Sequence, residues 1–408
     1  MNKDWKKNII IFLASQTVSL FGSMLVQYAI TWYITLKTQS GVMMTISIIC
    51  SFVPTLFISP FAGVWADRYN RKLLIMLSDS MIAIATFILA ILFFMGYDSI
   101  WLLFVVSAIR ALGTGIQTPA IGAFIPQLVP ADKLTKVNAT NSSIQSLVMM
   151  VCPMLSGALL TIASIESIFL IDVITAFLAV SILLLFLKVP AHARALNKQA
   201  ISYFEDMRDG IRYIKNHSYV KSFFWFCSIF FLLAVPIAFL TPLQVTRSFG
   251  NDVWRLTAVE LSFSIGMMVG GIIMAYWGGF KNKVHTMSLS TLVMGICTFA
   301  LGFIPNFVVY LIFMALAGIV MPLFNTPSTV LLQEKVEEDF LGRVFGVLGM
   351  ISSTMMPLGM LVFGPISDMI KIEWLLMGTG LLMFIQGFFL ISNKVMIEAG
   401  TPITTFRK

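Results

Sequence analysis

Four ionisable residues lie inside long apolar stretches of this 408-residue sequence: Arg110, Asp172, Glu260 and Asp79. A charge surrounded by hydrocarbon is costly, so each of them needs a partner, water or a change of protonation. Such residues offer proton chemistry, because a carboxylate can take up and release a proton while an arginine keeps its positive charge. Two interpretations stay open. Either Asp172 or Glu260 takes up a proton from the outer side and Arg110 responds to it, or these charges only fix helix packing.

The stretches around these residues have the length and composition of membrane-spanning helices. The sequence is 58% hydrophobic and 11% charged, with a mean hydropathy of +0.91. A soluble domain carries about a quarter charged residues, so lipid is the solvent of this chain. Apolar runs that reach the ~20 residues needed to cross a bilayer recur twelve times, at residues 8–36, 41–66, 73–96, 100–123, 136–162, 167–187, 222–245, 256–277, 284–303, 307–332, 344–367 and 374–392.

The 27 Lys and Arg residues predict the orientation of these spans. With both termini in the cytoplasm, most of the cations fall in cytoplasmic tails and loops, as the positive-inside rule requires. The net charge of +8 is therefore a topology signal, and we expect no nucleic-acid partner. The N-terminal lysines and the apolar residues after them are interpreted as the first membrane helix and not as a signal peptide, because the apolar run continues to Trp32 and Tyr33.

A weak internal repeat divides the chain into halves. Residues 117–119 (Gln-Thr-Pro) end the fourth predicted span, and residues 325–327 (Asn-Thr-Pro) end the tenth. We expect an all-α membrane protein whose twelve transmembrane helices form two pseudo-symmetric six-helix bundles, at residues 1–190 and 222–408. A cytoplasmic central loop, 191–221, would join them and carry a short amphipathic helix, since its apolar residues have helical spacing, namely Phe204, Met207, Ile211 and Ile214.

The loop between the second and third predicted spans reads GVWADRYNRK, which resembles the signature of the major facilitator superfamily, G-x-x-x-D-R-x-G-R-K. Gly63 would allow close helix approach, and Asn70 replaces the second glycine because it tolerates a left-handed turn. Asp67 and Arg68 would pair across the cytoplasmic face of the bundle. Arg71 and Lys72 would anchor the loop on that side. The whole predicted gate motif is Gly63, Asp67, Arg68, Asn70, Arg71 and Lys72.

More narrowly, the chain resembles the macrolide-efflux branch of bacterial drug:proton antiporters. The resemblance rests on strings spread over the sequence, among them QTVSLFGSMLVQYAI, FLIDVITA, AVELSFSIGMMVGG and FLGRVFG. The fifth span also resembles the Gly-Pro-x-x-Gly-Gly pattern of exporters. Pro153 and Gly157 match that pattern, whereas Cys152 and Ser156 replace two of its glycines. Plain helix packing explains these small residues equally well.

The resemblance implies proton-coupled efflux of hydrophobic or amphipathic compounds by alternating access, from the bacterial plasma membrane, with macrolide-type drugs as the first guess. An exporter of an endogenous metabolite, siderophore or peptide is the alternative, and a non-transporting receptor a remote one. Arg110 would couple protonation to the substrate cavity. We expect a monomer with protons, a small molecule and lipid as partners, no cofactor or metal, and no enzymatic activity. The candidate cavity residues are aromatic, amide or thioether side chains of spans one and seven: Met24, Tyr28, Trp32, Phe239 and Gln244.

Overall fold

The computed structural model describes residues 5–130, 133–187 and 212–401, which contain helices and no strand. Twelve of these helices are long and apolar enough to cross a membrane, which confirms the predicted fold class. They are α1 Trp5–Thr38, α2 Gly41–Arg68, α3 Arg71–Phe94, α4 Ile100–Leu128, α5 Leu134–Ile162, α6 Ile165–Phe186, α7 Ser218–Ser248, α8 Val253–Trp277, α9 Lys283–Leu301, α10 Phe307–Lys335, α11 Glu338–Met369 and α12 Ile372–Ser392, followed by a short α13, Lys394–Gly400.

Two details of the predicted elements differ from the structure. Residues 117–119 and 325–327 do not end their helices, since α4 continues to Leu128 and α10 to Lys335 with their prolines inside. Membrane helices tolerate inner prolines where neighbouring helices, side chains or water satisfy the freed backbone groups. Within the central loop, residues 212–216 are helical and Ile214 is buried. The rest of the predicted amphipathic helix, with Phe204, Met207 and Ile211, lies outside the described residues.

The chain forms two compact units. The first unit comprises Met1–Thr38 with Ile46–Gln199, and the second comprises Gln39–Thr45 with Ala200–Lys408. In the first unit, α1 packs against α6 and α5, while α3 packs against α4 and α6. An apolar cluster lies in its interior, and Phe12 of α1 and Phe124 of α4 meet edge to face there with ring centroids 5.1 Å apart.

The second unit is built on close approaches between helix backbones. A Cβ atom at Gly318 of α10 would meet the backbone oxygen of Phe263 on α8, and one at Gly380 of α12 would meet the backbone nitrogen of Phe299 on α9. Small residues at such crossings let membrane helices pack tightly by van der Waals contact. Helix α7 is divided by a π-helical turn at Pro236–Leu240, where the proline lacks an amide proton for the ladder.

The first residues of α2 group with the second unit because α11 holds them. Asp368 on α11 accepts hydrogen bonds from the backbone nitrogens of Gly41 (2.7 Å) and Val42 (3.0 Å) at the amino end of α2. A carboxylate there satisfies free N–H groups and complements the helix dipole. Arg247 of α7 pairs with the same carboxylate at 2.7 Å. A division at residues 190 and 222 does not anticipate this segment, and the predicted domain boundaries stay a prediction.

Candidate functional site

Helix α1 presents a polar face to the interior of the first unit. Gln16, Ser19 and Ser23 follow one another at three- and four-residue spacing, which places them on one side of a helix. Gly22 lies on the same side, and a Cβ atom there would meet the side-chain oxygen of Thr175 and, at 3.0 Å, the Cα atom of Asp172. The glycine therefore brings α6 close enough for its carboxylate to reach the polar face of α1.

Arg110 of α4 and Asp172 of α6 form a buried ion pair in this interior. Their exposed fractions are 5% and 0%, and Nη1 of the arginine contacts Oδ2 of the aspartate. Arg110 also donates from Nη2 to the backbone oxygen of Ser23, at 3.0 Å, while the Ser23 hydroxyl donates to Oδ1 of Asp172 at 3.2 Å. Both oxygens of Asp172 thus have hydrogen-bond partners, as a buried charge requires.

Thr86 of α3 completes this group. Its hydroxyl accepts from Nη1 of Arg110 and lies 3.1 Å from Oδ2 of Asp172 and 2.9 Å from the backbone oxygen of Ile82. A hydroxyl has one proton, so Thr86 can donate to only one of these two oxygens at a time. The ion pair is consequently held by four helices, α1, α3, α4 and α6.

Asp79 of α3 forms a second polar group without a cation. Its exposed fraction is 2%, and its Oδ1 accepts from the Ser19 hydroxyl at 2.6 Å and from Nε2 of Gln117 on α4 at 2.7 Å. Gln117 Nε2 also lies 3.5 Å from Oε1 of Gln16. Oδ2 of Asp79 and Nε2 of Gln16 are buried without a hydrogen-bond partner. This arrangement leaves the negative charge of the Asp79 carboxylate without a counter-ion.

The four ionisable candidates are therefore distributed unequally. The structure joins Arg110 and Asp172 in one ion pair. Asp79 packs against the same polar face of α1, where Ser19 donates to Asp79 and Ser23 donates to Asp172. Glu260 of α8 lies in the second unit and is partly buried. Within the described residues it has no recorded hydrogen bond or ion pair.

Two cations of the predicted gate motif contact backbone oxygens. Arg71 donates to the backbone oxygens of Ala66 and Ala123, both at 2.9 Å, and Lys72 donates to that of Leu187 at 2.8 Å. Carbonyl groups at helix ends lack partners within the helix, as at Ala66 near the end of α2 and Leu187 at the end of α6, and Ala123 lies in α4. These contacts connect α3 to three helices of the first unit, and the role of the motif as a gate stays a prediction.

Two details of that motif differ from expectation. Asn70 has φ −65° and not a left-handed conformation, because it caps α3 and accepts a hydrogen bond from Leu73 N at 3.4 Å. A Cβ atom at Gly63 would meet none of the described atoms within 4 Å, so this glycine makes no close approach here. Arg68 is exposed, and the structure does not describe the side chain of Asp67.

The motif of the fifth span packs against α1. Pro153 and Gly157 are buried, and the neighbouring Ser156 hydroxyl donates to the backbone oxygen of Leu25 at 3.1 Å. Cys152 is likewise buried, with its sulfur 3.6 Å from the backbone oxygen of Phe21. Small residues that approach a helix backbone explain this face as helix packing. Whether Pro153 and Gly157 also serve efflux stays a prediction.

The predicted cavity residues divide into partly buried and fully buried side chains. Met24, Tyr28 and Phe239 are partly buried. Trp32 is 1% exposed and lies 5.7 Å from the ring of Tyr28, whereas Gln244 is 2% exposed. The amide of Gln244 donates to the backbone oxygen of Leu301 and accepts from the Tyr310 hydroxyl, both at 2.8 Å. Trp32 and Gln244 therefore have packing contacts inside their units.

No described part of the chain brings three or more His, Cys, Asp or Glu residues together as a metal could require. The chemistry of the site thus rests on the buried charges of the first unit. Residues 9–360 match the Major Facilitator Superfamily as a sequence family. The chain belongs to the major facilitator superfamily. Since this family consists of membrane transporters, the protein is a multi-pass transporter and not an enzyme.

Individual relatives and structures agree with this family. The chain is 30% identical over 380 residues to macrolide efflux protein A of Streptococcus pyogenes, covering 92% of this chain and 94% of that protein. It is 22% identical to the staphyloferrin A transporter of Staphylococcus aureus, covering 95% and 97%. The crystal structure of a nucleoside transporter, NupG, superposes with a TM-score of 0.70 at 16% identity, covering 95% of this chain and 99% of that one. At that identity the likeness shows the major facilitator fold alone.

Sequence reasoning missed the neutral partners of the charges. Ser19, Ser23, Thr86 and Gln117 supply hydrogen bonds to both aspartates, and Gly22 makes room for one of them. A signal for the α1 residues exists in the sequence, because polar and small residues recur there at helical spacing within an apolar span. Serine and threonine are common in membrane helices, so that signal gains meaning only beside the charges of other helices.

Proposed function

We propose that this transporter exports hydrophobic or amphipathic compounds in exchange for protons by alternating access, with macrolide-type drugs as the first substrates to test. The observation that carries the proposal is the 30% identity to macrolide efflux protein A across nearly the full length of both chains. The buried charges of the first unit support proton coupling, because ionisable groups inside membrane spans are typical of proton relays. We also propose that the protein is a monomer in the bacterial plasma membrane, which its bacterial efflux relatives support. Both termini would lie in the cytoplasm, because its cations are distributed as the positive-inside rule requires.

A drug-susceptibility panel in an efflux-deficient bacterium tests this function. Cells that express the protein should tolerate higher macrolide concentrations than cells with an empty vector, and a protonophore should remove the difference. Asp98→Asn, at an exposed carboxylate between α3 and α4, is the matched control that should keep full resistance. Unchanged susceptibility to the whole panel would contradict drug export, and resistance that persists with the protonophore would contradict proton coupling.

A second candidate substrate class is a siderophore. The observation that favours it is the 22% identity, over 95% of this chain, to a protein named for the transport of staphyloferrin A. Mass spectrometry of culture medium from iron-limited cells would decide between the two classes. Siderophore export predicts that deletion of the transporter lowers the secreted siderophore, whereas drug export predicts an unchanged siderophore level and altered drug susceptibility.

A further inference from the structure

Two buried carboxylates of the first unit differ in the partners that surround them. Asp172 contacts Arg110, whose guanidinium is a donor only and stays charged. The Ser23 hydroxyl donates to its other oxygen. Neutralising Asp172 would leave a buried arginine without its counter-ion, which is among the costliest changes in a protein interior. The geometry therefore keeps Asp172 as an anion while the pair is intact.

Asp79 is surrounded by groups that can serve either protonation state. Ser19, Gln16 and Gln117 each carry both a donor and an acceptor, and the last two can exchange those roles by turning their amides. Oδ1 of Asp79 accepts from Ser19 and Gln117. Oδ2 has no partner, and the free Nε2 of Gln16 belongs to a side chain that meets the same Gln117 amide. An added proton on Oδ2 would break none of these hydrogen bonds.

The charges near Asp79 do not compensate it. From α6 the carboxylate of Asp172 faces it, and from α4 the nearest cation in this site, Arg110, is committed to Asp172. Its hydrogen-bonding neighbours on α1 and α4 are the neutral residues Ser19, Gln16 and Gln117. Burial of an anion without a counter-ion is costly, whereas the neutral acid is tolerated. This position therefore disfavours the Asp79 anion relative to the neutral acid, and its neighbours can accommodate both states.

We propose that Asp79 binds and releases the proton that drives transport, and that Asp172 does not. This inference rests on the proposed proton coupling. A proton from one side of the membrane adds to Oδ2 of the Asp79 carboxylate to give the neutral acid, and the same O–H bond breaks when the proton leaves to the other side. Ser19, Gln16 and Gln117 act as positioning residues that hold the side chain in both states.

An infrared pH titration of the purified full-length protein tests the assignment without a substrate. A protonated carboxylic acid has a carbonyl stretching band that its anion lacks, so a titrating acid in the site gives a band that disappears as pH rises. We expect Asp79→Asn to abolish that band, and the double variant Arg110→Met with Asp172→Leu, which removes both partners of the ion pair, to retain it. Both are made in a Glu260→Gln background, because Glu260 is another carboxylate of a membrane span with no recorded partner among the described residues. A band that survives Asp79→Asn, or that the double variant loses, overturns the assignment. Size-exclusion chromatography and circular dichroism check that each variant is folded.

The role of the positioning residues is tested with Gln16→Met, which has similar length but no amide. Because hydrogen bonds to one protonation state shift the equilibrium between the two, the midpoint of the band should move by about half a pH unit or more. Gln27→Met, on α1 outside the Asp79 group, is the matched control and should leave the midpoint in place. An unchanged midpoint in Gln16→Met overturns the positioning role.

Transport assays separate this inference from the function on which it rests. In proteoliposomes with radiolabelled erythromycin, Asp79→Asn should lose at least tenfold of the accumulation driven by a pH gradient and keep counterflow exchange. If wild-type accumulation ignores the gradient, the proposed coupling fails whichever residue titrates. If wild-type accumulation follows the gradient and Asp79→Asn does so equally, the coupling stands and the assignment to Asp79 fails.

Discussion

The two units of this transporter fill equivalent positions with different chemistry. Asn70 and Asn282 each cap the helix that follows, and counting equally from these anchors places Thr291 where the first unit has Asp79. Gly318 precedes Pro327 by the same number of residues as Arg110 precedes Pro119, so Gly318 corresponds to Arg110. From the Ile-Glu pairs that begin α6 and α12, Thr379 corresponds to Asp172. Across the described residues, every buried charged side chain lies in the first unit.

The difference shows two ways of holding membrane helices together. In the second unit, Thr291 and Thr379 donate to carbonyl oxygens of their own helices at 2.9 and 2.8 Å, and Gly318 lets α10 touch α8. Its interior is therefore stabilised by close packing. The first unit instead has charged side chains at the same positions, which bind across helices. Removing these charges from water costs free energy. Stability does not require such charges, since the related unit does without them, and this favours a functional reason for them.

Among the variants that test this comparison, removal of Arg110 should cause the largest loss of stability. Arg110→Met leaves Asp172 buried without its counter-ion, and breaking a buried pair in this way costs about 3–5 kcal/mol. The midpoint of thermal unfolding in detergent should fall markedly. The double variant Arg110→Met with Asp172→Leu, which makes the first unit resemble the second, should recover most of the stability but not transport. If Arg110→Met unfolds at the wild-type temperature, the ion pair does not stabilise the first unit.

Close packing in the second unit predicts the next largest effect. In Gly380→Ala the new methyl group would meet backbone atoms of Gly295 and Phe299 on α9, which cannot yield as a side chain can. Overpacking of this kind costs about 1–3 kcal/mol. Gly378→Ala is the matched control on the same helix, because a Cβ atom there would meet none of the described atoms within 4 Å. Equal unfolding temperatures for the two variants would contradict the packing account.

A smaller effect is expected from the threonine that both units share. Thr86 and Thr298 occupy equivalent positions, but Thr86 contacts Arg110 and Asp172 whereas Thr298 donates to Met294 O of its own helix at 2.8 Å. Hydrogen bonds between membrane helices average about 0.6 kcal/mol and reach about 1.7 kcal/mol. Thr86→Val should therefore lower the unfolding temperature more than Thr298→Val. The reverse order would mean that the hydroxyl is not part of the ion-pair group.

The sequence predicted the spans well because hydrophobic length is a local property. Local hydrophobicity placed all twelve spans, but it did not show that α4 continues to Leu128 and α10 to Lys335, because the tolerance of inner prolines depends on neighbouring helices. The site was predicted in part. A charge inside a membrane span is costly, so the sequence alone marks it as a candidate. The pairing of Arg110 with Asp172, and the lack of a cation beside Asp79, depend on how four helices pack. The left-handed turn predicted at Asn70 was wrong, because a helix cap satisfied that residue instead.

The surface pair of Lys37 and Asp98 sharpens the contrast between buried and exposed charges. Lys37 at the end of α1 donates to Asp98, and the two side chains are 39% and 60% exposed. The hydrogen bond from Lys37 holds the pKa of Asp98 below its ordinary value. A lowered pKa means that the pair stabilises the fold above the pKa of an unfolded carboxyl, near 3.9, and that this contribution is lost as pH falls through the folded value. Water and salt screen it, so Asp98→Asn should lower the unfolding temperature only slightly at pH 7 and not at all in acid. A large loss at neutral pH would show that this exposed pair resembles the buried one in strength.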